Sequence, residues 1–235
     1  MGSLGRTWAP IGEQPVVKTT GTRKGLKIFG AIDLMEGGFH YCESLQYVLT
    51  QKSFTALKKM GMPVEIVKPL KADINNEVFL TKQDFLKAVQ ARLSKETYHA
   101  YHLNIVQFAE VPGRFNGESY IEFLKQLIEN NDRHVVLIED GAPYHGRVIV
   151  KDFVKEHSKH ITIERLPCFS PDYNPIEKLW KNTKRDATHL KYFEEFEDLR
   201  DSVVGTFEFY INDASKVLVV TSITGGYAIA SFNID

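Results

Sequence analysis

Two carboxylates, Asp140 and Glu177, lie where a folded chain could bring them together. Asp140 ends the apolar run "HVVLIED", which is typical of a strand covered on both faces, and ligands bind at the carboxyl ends of such strands. Glu177 follows after 36 residues that are predicted to hold a helix, a strand and a proline-rich turn. Two oxygen ligands of this kind could hold Mg²⁺ or Mn²⁺, and a pair of such ions can promote phosphodiester cleavage.

Each carboxylate also has a purely structural interpretation. An Asp at the end of a strand often caps the helix that follows, and for Asp140 the two roles are about equally expected. In "SPDYNPIEKLW", Asn174 could be the N-cap of a helix and Pro175 its first residue. Glu177 could then reach back to the Asn174 amide as a capping box. The residue types alone leave both interpretations open.

The composition favours a globular protein of a reducing compartment, without a membrane segment. Hydrophobic residues make up 43% of the 235 residues, and no apolar run approaches the length that spans a bilayer. The two cysteines, Cys42 and Cys168, form neither a CxxC pair nor a disulfide framework. Because the net charge is −1, any binding of nucleic acid must depend on local clusters of basic residues.

The order of predicted elements indicates a mixed α/β domain. "LKIFGAIDL" and "FHY" are predicted as antiparallel strands, preceded by a further short strand, "QPVVKT". From Asn116 onward the pattern becomes helix, strand, helix, strand, helix, beginning with the amphipathic segment "NGESYIEFLKQLIEN". Such an order is typical of helices layered on a sheet.

Residues 42–106 do not follow that order and are predicted to form an inserted subdomain. "SFTALKKMG" predicts a short helix that ends at Gly61, "PVEIVK" a strand, and "TKQDFLKAVQARL" a helix capped by Thr81. Because its charges are mixed in sign, an extension of an exposed loop is favoured over a module that contacts DNA or a partner. Residues 216–235 are predicted only as a C-terminal tail after a final helix.

Two neighbouring segments carry a resemblance to a known family. "LIEDGAPYHG", followed by "ITIERLPCFSPDYNPIEKLWKNTK", resembles the mariner-type and related bacterial insertion-sequence transposases. Their pattern is Asp-Asn-Ala-x-x-His, then Leu-Pro-x-Tyr-Ser-Pro-x-x-Asn-Pro-Ile-Glu-x-x-Trp; here Gly141 replaces the Asn and Phe169 the Tyr. "RTWAPIGEQPVV", "KIFGAIDLMEGGFHY" and "GRFNGESYIEFLKQL" extend the resemblance over most of the chain outside 42–106 and the tail.

The resemblance implies a fold and an activity. The catalytic domain of these transposases is a DDE superfamily endonuclease of ribonuclease H-like fold, a mixed sheet flanked by helices. It would here comprise residues 1–41 and 107–215. Asp140 would be the second catalytic acid and Glu177 the third, holding Mg²⁺ or Mn²⁺ for cleavage and transfer of DNA strands. The implied partners are transposon ends and a second copy of the chain, in the cytoplasm of a bacterial cell and associated with its nucleoid.

The resemblance also implies an absence. The family's first catalytic Asp lies on a strand upstream of the Arg-x-Trp segment, which here begins at Gly5. The chain is therefore expected to lack that strand, its Asp and the preceding helix-turn-helix, and the sheet to lack a central strand. Asp33 is a poor substitute because it ends a later strand beside a turn. The alternative function is a truncated or domesticated transposase remnant that binds DNA or a partner without cleaving.

Basic residues after Glu177 form a stripe at helical spacing. Lys178, Lys181 and Arg185 lie on one side of the predicted helix, where they could contact DNA phosphates. A solvated helix face, or an i,i+4 pair between Glu177 and Lys181, is the alternative, and the resemblance favours the contact with DNA.

Two further residues match the family pattern. His145 could orient Asp140 or a phosphate, or it could be a histidine at a helix start without a chemical role. Trp180 is predicted to pack in the core rather than to stack on a base.

Overall fold

The computed structural model describes residue 11, residues 25–167 and 173–221, and the backbone of residues 227–234. The sequence segments "RTWAPIGEQPVV" and "QPVVKT" lie outside the described residues except for residue 11, as do residues 168–172 of the Ser-Pro turn. The chain divides into two compact units. One is Ser44–Arg114, and the other combines Met1–Glu43 with Phe115–Asp235.

The described residues form a mixed set of strands and helices. The strands are β1 (Leu26–Asp33), β2 (Phe39–Glu43), β3 (Leu45–Val48), β4 (Val78–Phe79), β5 (Glu110–Pro112), β6 (Val135–Glu139), β7 (Ile161–Arg165) and β8 (Tyr227–Ile234). The helices are α1 (Gln51–Lys59), α2 (Val64–Ile74), α3 (Lys82–Gln90), α4 (Lys95–Ala109), α5 (Gly117–Glu129), α6 (Val148–Glu156), α7 (Ile176–Thr183), α8 (Phe196–Ile211) and α9 (Ala214–Thr221). The prediction of a mixed α/β fold is confirmed.

The discontinuous unit contains a five-stranded mixed sheet in the order β2-β1-β8-β6-β7. β1 runs antiparallel to β2 and β8, whereas β6 runs parallel to β7 and β8. The alternation of side chains along β1 fills both faces of this sheet. Phe29 and Ala31 belong to one core, and Ile28 and Ile32 belong to the other.

Helices cover both faces. α5 and α6 contribute Tyr120, Phe123 and Phe153 to the core that contains Phe29. α7, α8 and α9 supply the opposite core, in which Trp180 is only 2% exposed, so its predicted place in the core is confirmed. The Trp180 ring explains a glycine in β1, because a Cβ built on Gly30 would lie 2.4 Å from its Cη2 atom.

The C-terminal strand β8 lies inside the sheet, between β1 and β6. Its ladder with β1 runs from Leu26↔Ile234 to Asp33↔Tyr227, and Ile229 pairs with Glu139 of β6. The sequence predicted only a tail here, and the resemblance suggested a sheet without a central strand. In the structure β8 occupies that central place, and its sequence, "YAIASFNI", contains no carboxylate.

The unit Ser44–Arg114 has a core of its own, made by α1 to α4 against a small antiparallel sheet in the order β4-β3-β5. α1 ends before Gly61, whose φ of +84° favours glycine, as predicted. The prediction of a strand at "PVEIVK" is wrong. Pro63 is the N-cap of α2, whose apolar residues are buried at helical spacing. Those residues are Ile66, Val67, Leu70 and Ile74.

None of the helices in the described part of the chain is long and apolar enough to cross a bilayer.

Candidate metal and nucleic-acid site

Asp140 is the first residue after β6, at the carboxyl end of that strand. Its side chain is 36% exposed, and its Oδ1 atom accepts a hydrogen bond of 3.0 Å from the Ala142 amide. That bond is part of a tight turn, because it spans only two residues. It occupies one of the two carboxylate oxygens and fixes the orientation of the group. Asp140 does not cap the following helix, as its structural interpretation expected, because the N-cap of α6 is Arg147.

Glu177 lies in the first turn of α7, but the helix start differs from the sequence prediction by one residue. α7 begins at Ile176 and its N-cap is Pro175, not Asn174, with no side-chain cap hydrogen bond. Asn174 is 2% exposed, and its carbonyl accepts from the Glu177 amide at 3.1 Å. Among the hydrogen bonds of the described residues, none ends on the Glu177 carboxylate, so the expected capping box is not formed.

The two carboxylates interact electrostatically. Partial burial raises the pKa of Glu177, and the negative charge of Asp140 raises it further, whereas the charge of Lys184 lowers it. Lys184 lies two helical turns after Glu177, and the sequence analysis did not single it out. The structure therefore brings Asp140 and Glu177 within electrostatic range of each other, in a position where both ionised forms would be stabilised by a cation.

A buried polar cluster lies directly beside Asp140. Its centre is Glu139, which is 0% exposed and accepts hydrogen bonds from Tyr120 Oη at 2.6 Å and Arg165 Nε at 2.9 Å. Arg165 is the parallel register partner of Glu139 on β7, so their side chains share one face of the sheet. Burial raises the pKa of Tyr120, as do the charge and the hydrogen bond of Glu139, which keeps the phenol protonated as a donor.

His145 connects this cluster to the Asp140 loop. Its Nδ1 atom lies 3.0 Å from the Asp140 carbonyl oxygen and 3.4 Å from Asp140 Oδ1, and the ring is almost fully buried between Tyr120 and Tyr144. Arg165 donates a second hydrogen bond, of 3.0 Å, to the His145 carbonyl. The loop that carries Asp140 is thus held by the buried ring of His145 and by the half-exposed Arg165, and the motif histidine contacts Asp140 directly.

The basic stripe is only partly available to a ligand. Lys178 Nζ donates to the Thr221 carbonyl at 2.9 Å, and Arg185 forms two hydrogen bonds with Asp186, of 2.7 and 3.1 Å. Lys181 is exposed and has no ion-pair partner among the residues that the structure describes. The expected i,i+4 pair between Glu177 and Lys181 is not formed there either.

Asp33 does not join the site. Asp33 pairs with Tyr227, which lies two residues before Ile229, the partner of Glu139, so Asp33 is level with the middle of β6 and not with its carboxyl end. Its Oδ1 atom accepts from the amides of Met35 at 2.8 Å and Glu36 at 3.0 Å, which closes the turn before β2. Within the described ranges, no group of three or more His, Cys, Asp or Glu side chains could hold a metal ion.

A surface groove of about 690 Å³ begins at the loop that follows Asp140. Pro143, Tyr144 and Arg147 line one side of it, and the start of α5 lines the other. Val148 and Ile149 are 69% and 43% exposed there, so the groove combines apolar side chains with one cation, Arg147, and one acid, Glu118.

Comparison with known proteins supports one superfamily. Residues 99–200 match the profile of the DDE superfamily endonucleases, a segment that runs from α4 into α8 and includes Asp140 and Glu177. Endonucleases of this superfamily generally use divalent metal ions and act on DNA. No curated protein and no solved structure shows a significant match to the chain.

Proposed function

We propose that the chain carries the catalytic domain of a DDE transposase of the mariner or bacterial insertion-sequence type, which cleaves and transfers DNA strands with a divalent metal ion. The observation that carries this proposal is the pair Asp140 and Glu177. They come from different elements, the charge of Asp140 raises the pKa of Glu177, and Glu177 has no hydrogen-bonding partner within the described part of the chain.

The chemistry of this pair fits Mg²⁺ or Mn²⁺. These ions prefer carboxylate oxygens and water, and Mg²⁺ is commonly held by one or two carboxylates together with substrate phosphates. Two carboxylates near each other carry a negative charge that a cation would neutralise. In this proposal the ligands beyond Asp140 and Glu177 are water and the phosphate oxygens of DNA.

The chain's own residues would prepare the site. When bound, the metal ion supplies Lewis-acid activation of water and charge stabilisation at the phosphodiester. The Ala142 amide leaves one oxygen of Asp140 free to face a ligand. His145 keeps the Asp140 loop in place through the Asp140 carbonyl, and Asn174 fixes the start of α7 through its own carbonyl. Lys181, and to a lesser extent Lys178 and Arg185, would contact DNA phosphates.

The architecture is compatible with a ribonuclease H-like fold. A mixed sheet with helices on both faces, one antiparallel hairpin (β1 and β2) and parallel strands at the site supports this assignment. The proposal includes residues 42–106 as an insertion and a homodimer that pairs two transposon ends. The bacterial cytoplasm, near the nucleoid, is the compartment that such a function requires.

One observation favours a second function, binding of DNA without cleavage. The described residues bring together two carboxylates rather than three, and neither Asp33 nor any residue of β8 adds another. A metal held by fewer protein ligands binds more weakly, so such a protein could retain DNA binding and lose catalysis. A domesticated transposase remnant would behave in this way.

Nicking of supercoiled plasmid in Mn²⁺ distinguishes the two functions. The proposed transposase nicks the plasmid, and Asp140→Ala and Glu177→Ala each abolish nicking, whereas Asp152→Ala, a change at an exposed Asp of α6, leaves it intact. If the unsubstituted chain binds the plasmid but does not nick it in Mn²⁺ or Mg²⁺, the second function is correct. Nicking that survives both substitutions would refute the assignment of these two carboxylates.

A further inference from the structure

The two units of the chain differ in charge, although the whole chain is nearly neutral. The chain has 29 Lys and Arg against 30 Asp and Glu. Residues 44–114 hold ten of the basic residues and six of the acidic ones, a net charge of +4. The remainder therefore has 19 against 24, a net charge of −5. Basic and acidic residues are interspersed along residues 42–106, so the excess of basic residues is not obvious from the sequence.

The excess is concentrated on α1. α1 contains three lysines and no acid, whereas α2 contains two lysines and two acids, Glu65 and Asp73. All five lysine side chains are exposed: Lys52, Lys58, Lys59, Lys68 and Lys71. We call them the lysine surface. A four-residue turn that contains Gly61 joins the two helices, whose opposite sides are buried in the core of the unit.

Three acids of this unit have partners outside the lysine surface, and Glu65, an exposed acid of α2, forms no ion pair among the described residues. Asp73 pairs with Arg92 at 3.4 Å, Asp84 pairs with Lys87 at 3.6 Å, and Glu110 accepts from Tyr47 at 3.4 Å. Across the described residues, none of the five lysines forms an ion pair. Holding like charges together without partners costs free energy, and an anionic ligand would remove that cost.

The shape and composition of the surface favour a phosphate backbone. A shallow groove of about 270 Å³ runs along α1, lined by Gln51, Lys52, Thr55, Ala56 and Lys59, so that cations and neutral hydrogen-bond donors alternate there. The only aromatic side chain of α1 and α2, Phe54, is buried. A single strand stacks on exposed aromatic rings, and neither helix presents one.

We propose that the lysine surface binds the phosphate backbone of double-stranded DNA, without sequence preference. This inference rests on the proposed function, because it names the place at which the unit 44–114 would hold the substrate. It also replaces the interpretation of residues 42–106 as a simple loop extension. Because the lysine surface acts through charge, its contribution to the affinity for DNA falls as the salt concentration rises. Each phosphate contacted adds about −0.9 to the slope of log K against log salt.

The test measures binding of the full chain to a fluorescent 30-base-pair duplex in EDTA, by anisotropy, from about 50 to 200 mM salt. The variant Lys52→Gln/Lys58→Gln/Lys59→Gln removes three charges with a residue that forms helices well. It is expected to bind about tenfold more weakly or worse, with a salt slope reduced by between two and three. The matched control is Lys82→Gln/Lys87→Gln/Lys95→Gln, three exposed lysines of α3 and α4, which is expected to bind within about twofold of the original chain with an unchanged slope.

Equal affinities and slopes for the two triple variants would overturn the proposal, provided that both give the thermal melting profile of the original chain. Competition defines the ligand class. Duplex DNA should displace the probe far better than polyglutamate or oligo(dT) at equal charge, and the reverse order would overturn the assignment to a duplex.

Plasmid nicking in Mn²⁺ separates this proposal from the proposed function. A chain that binds DNA through the lysine surface and never nicks refutes only the latter, and Asp140-dependent nicking with unchanged binding in the lysine variant refutes only the former.

Discussion

Glu139 and Asp140 are neighbours in the sequence but lie in opposite surroundings. Glu139 is fully buried, and the chain itself supplies its partners, Tyr120 and Arg165. Asp140 is 36% exposed, and the nearby carboxylate of Glu177 repels its charge. Glu139 has protein partners that compensate its buried charge and stabilise the fold. Among the described residues Asp140 has only a hydrogen bond within its own turn and a contact with His145, so together with Glu177 it could bind a cation.

The end of a strand produces this difference. Alternate side chains of β6 point to one face of the sheet, so Glu139 shares the core of Val135 and Leu137 and meets α5. Asp140 is the first residue beyond the strand and begins the loop. The cluster around Glu139 then fixes this loop through Arg165 and His145, so Glu139 helps to position Asp140.

The largest expected effect is a loss of activity without a loss of stability. Asp140→Asn keeps the shape of the side chain but removes its charge, so it should lower the rate of nicking by about 10³-fold or more, since a metal-bound carboxylate contributes several kcal/mol to the transition state. The free energy of unfolding, measured in urea without metal, should stay within about 0.5 kcal/mol of the original. A variant that nicks normally, or that unfolds more easily by several kcal/mol, would contradict the comparison.

Removal of Arg165 should lower the stability of the fold, which the Asp140 substitution leaves unchanged. Arg165→Met leaves the Glu139 charge buried without its cation, which costs about 3 kcal/mol in the free energy of unfolding, at the low end of the range for such pairs because Arg165 is itself half-exposed. Arg147→Met, at an exposed arginine of the groove, is the control and should cost less than about 0.5 kcal/mol. The double variant Glu139→Gln/Arg165→Met should recover part of the loss. Equal effects of the two single arginine variants would show that the cluster does not stabilise the fold.

A smaller decrease in the free energy of unfolding is expected when the hydrogen bond from Tyr120 to Glu139 is removed. Tyr120→Phe removes the donor to Glu139 with almost no change in volume, and hydrogen bonds to charged groups contribute about 1.5–3 kcal/mol. We expect the free energy of unfolding in urea to decrease by about 1.5 kcal/mol. Tyr173→Phe, at an exposed tyrosine, is the control and should leave the free energy of unfolding unchanged. No decrease would indicate that water replaces the phenol beside Glu139.

The smallest effect is the pH dependence of Glu177. Its pKa in the folded chain is raised, first by burial and then by Asp140, so the folded chain binds this proton more tightly than the unfolded one. This contribution is therefore fully present below the unfolded pKa of about 4.5 and is lost as pH rises through the folded pKa. Glu177→Gln should thus be more stable than the original chain at neutral pH, with a difference that disappears toward pH 4 in urea titrations without metal. A variant that is less stable at neutral pH would contradict the sign.

The candidate carboxylates could be named from the sequence, whereas the residues that hold them in place could not. Asp140 and Glu177 stand in short local motifs, whose strand and helix starts can be recognised without long-range contacts. Glu139 and Arg165 were missed because only the parallel register of β6 and β7 makes them partners. An acid next to the motif Asp, inside an apolar strand, was the available signal, since a buried charge requires a partner.

The errors in the predicted helices and strands also have physical causes. The β-branched residues of "PVEIVK" favour a strand locally, but Pro63 at the N-cap and four buried apolar residues at helical spacing favour α2. The shift at Pro175 is a matter of one residue, within the usual uncertainty of a helix boundary. β8 could not be placed from the sequence because its partners in β1 lie about 200 residues earlier in the chain, and no local pattern encodes such a pairing.

The position of β8 determines when the candidate site can form during synthesis. A ribosome that adds about 5–20 residues per second needs roughly 10–40 seconds to proceed from β1 to β8. Until then β1 with β2 and β6 with β7 are two separate pairs of strands, since β8 joins them, and the backbone of Glu139 has no neighbour on that side. Asp140 and Glu177 are both synthesised well before that moment. A nascent chain therefore carries the two candidate carboxylates before it carries the strand that joins the two halves of the sheet.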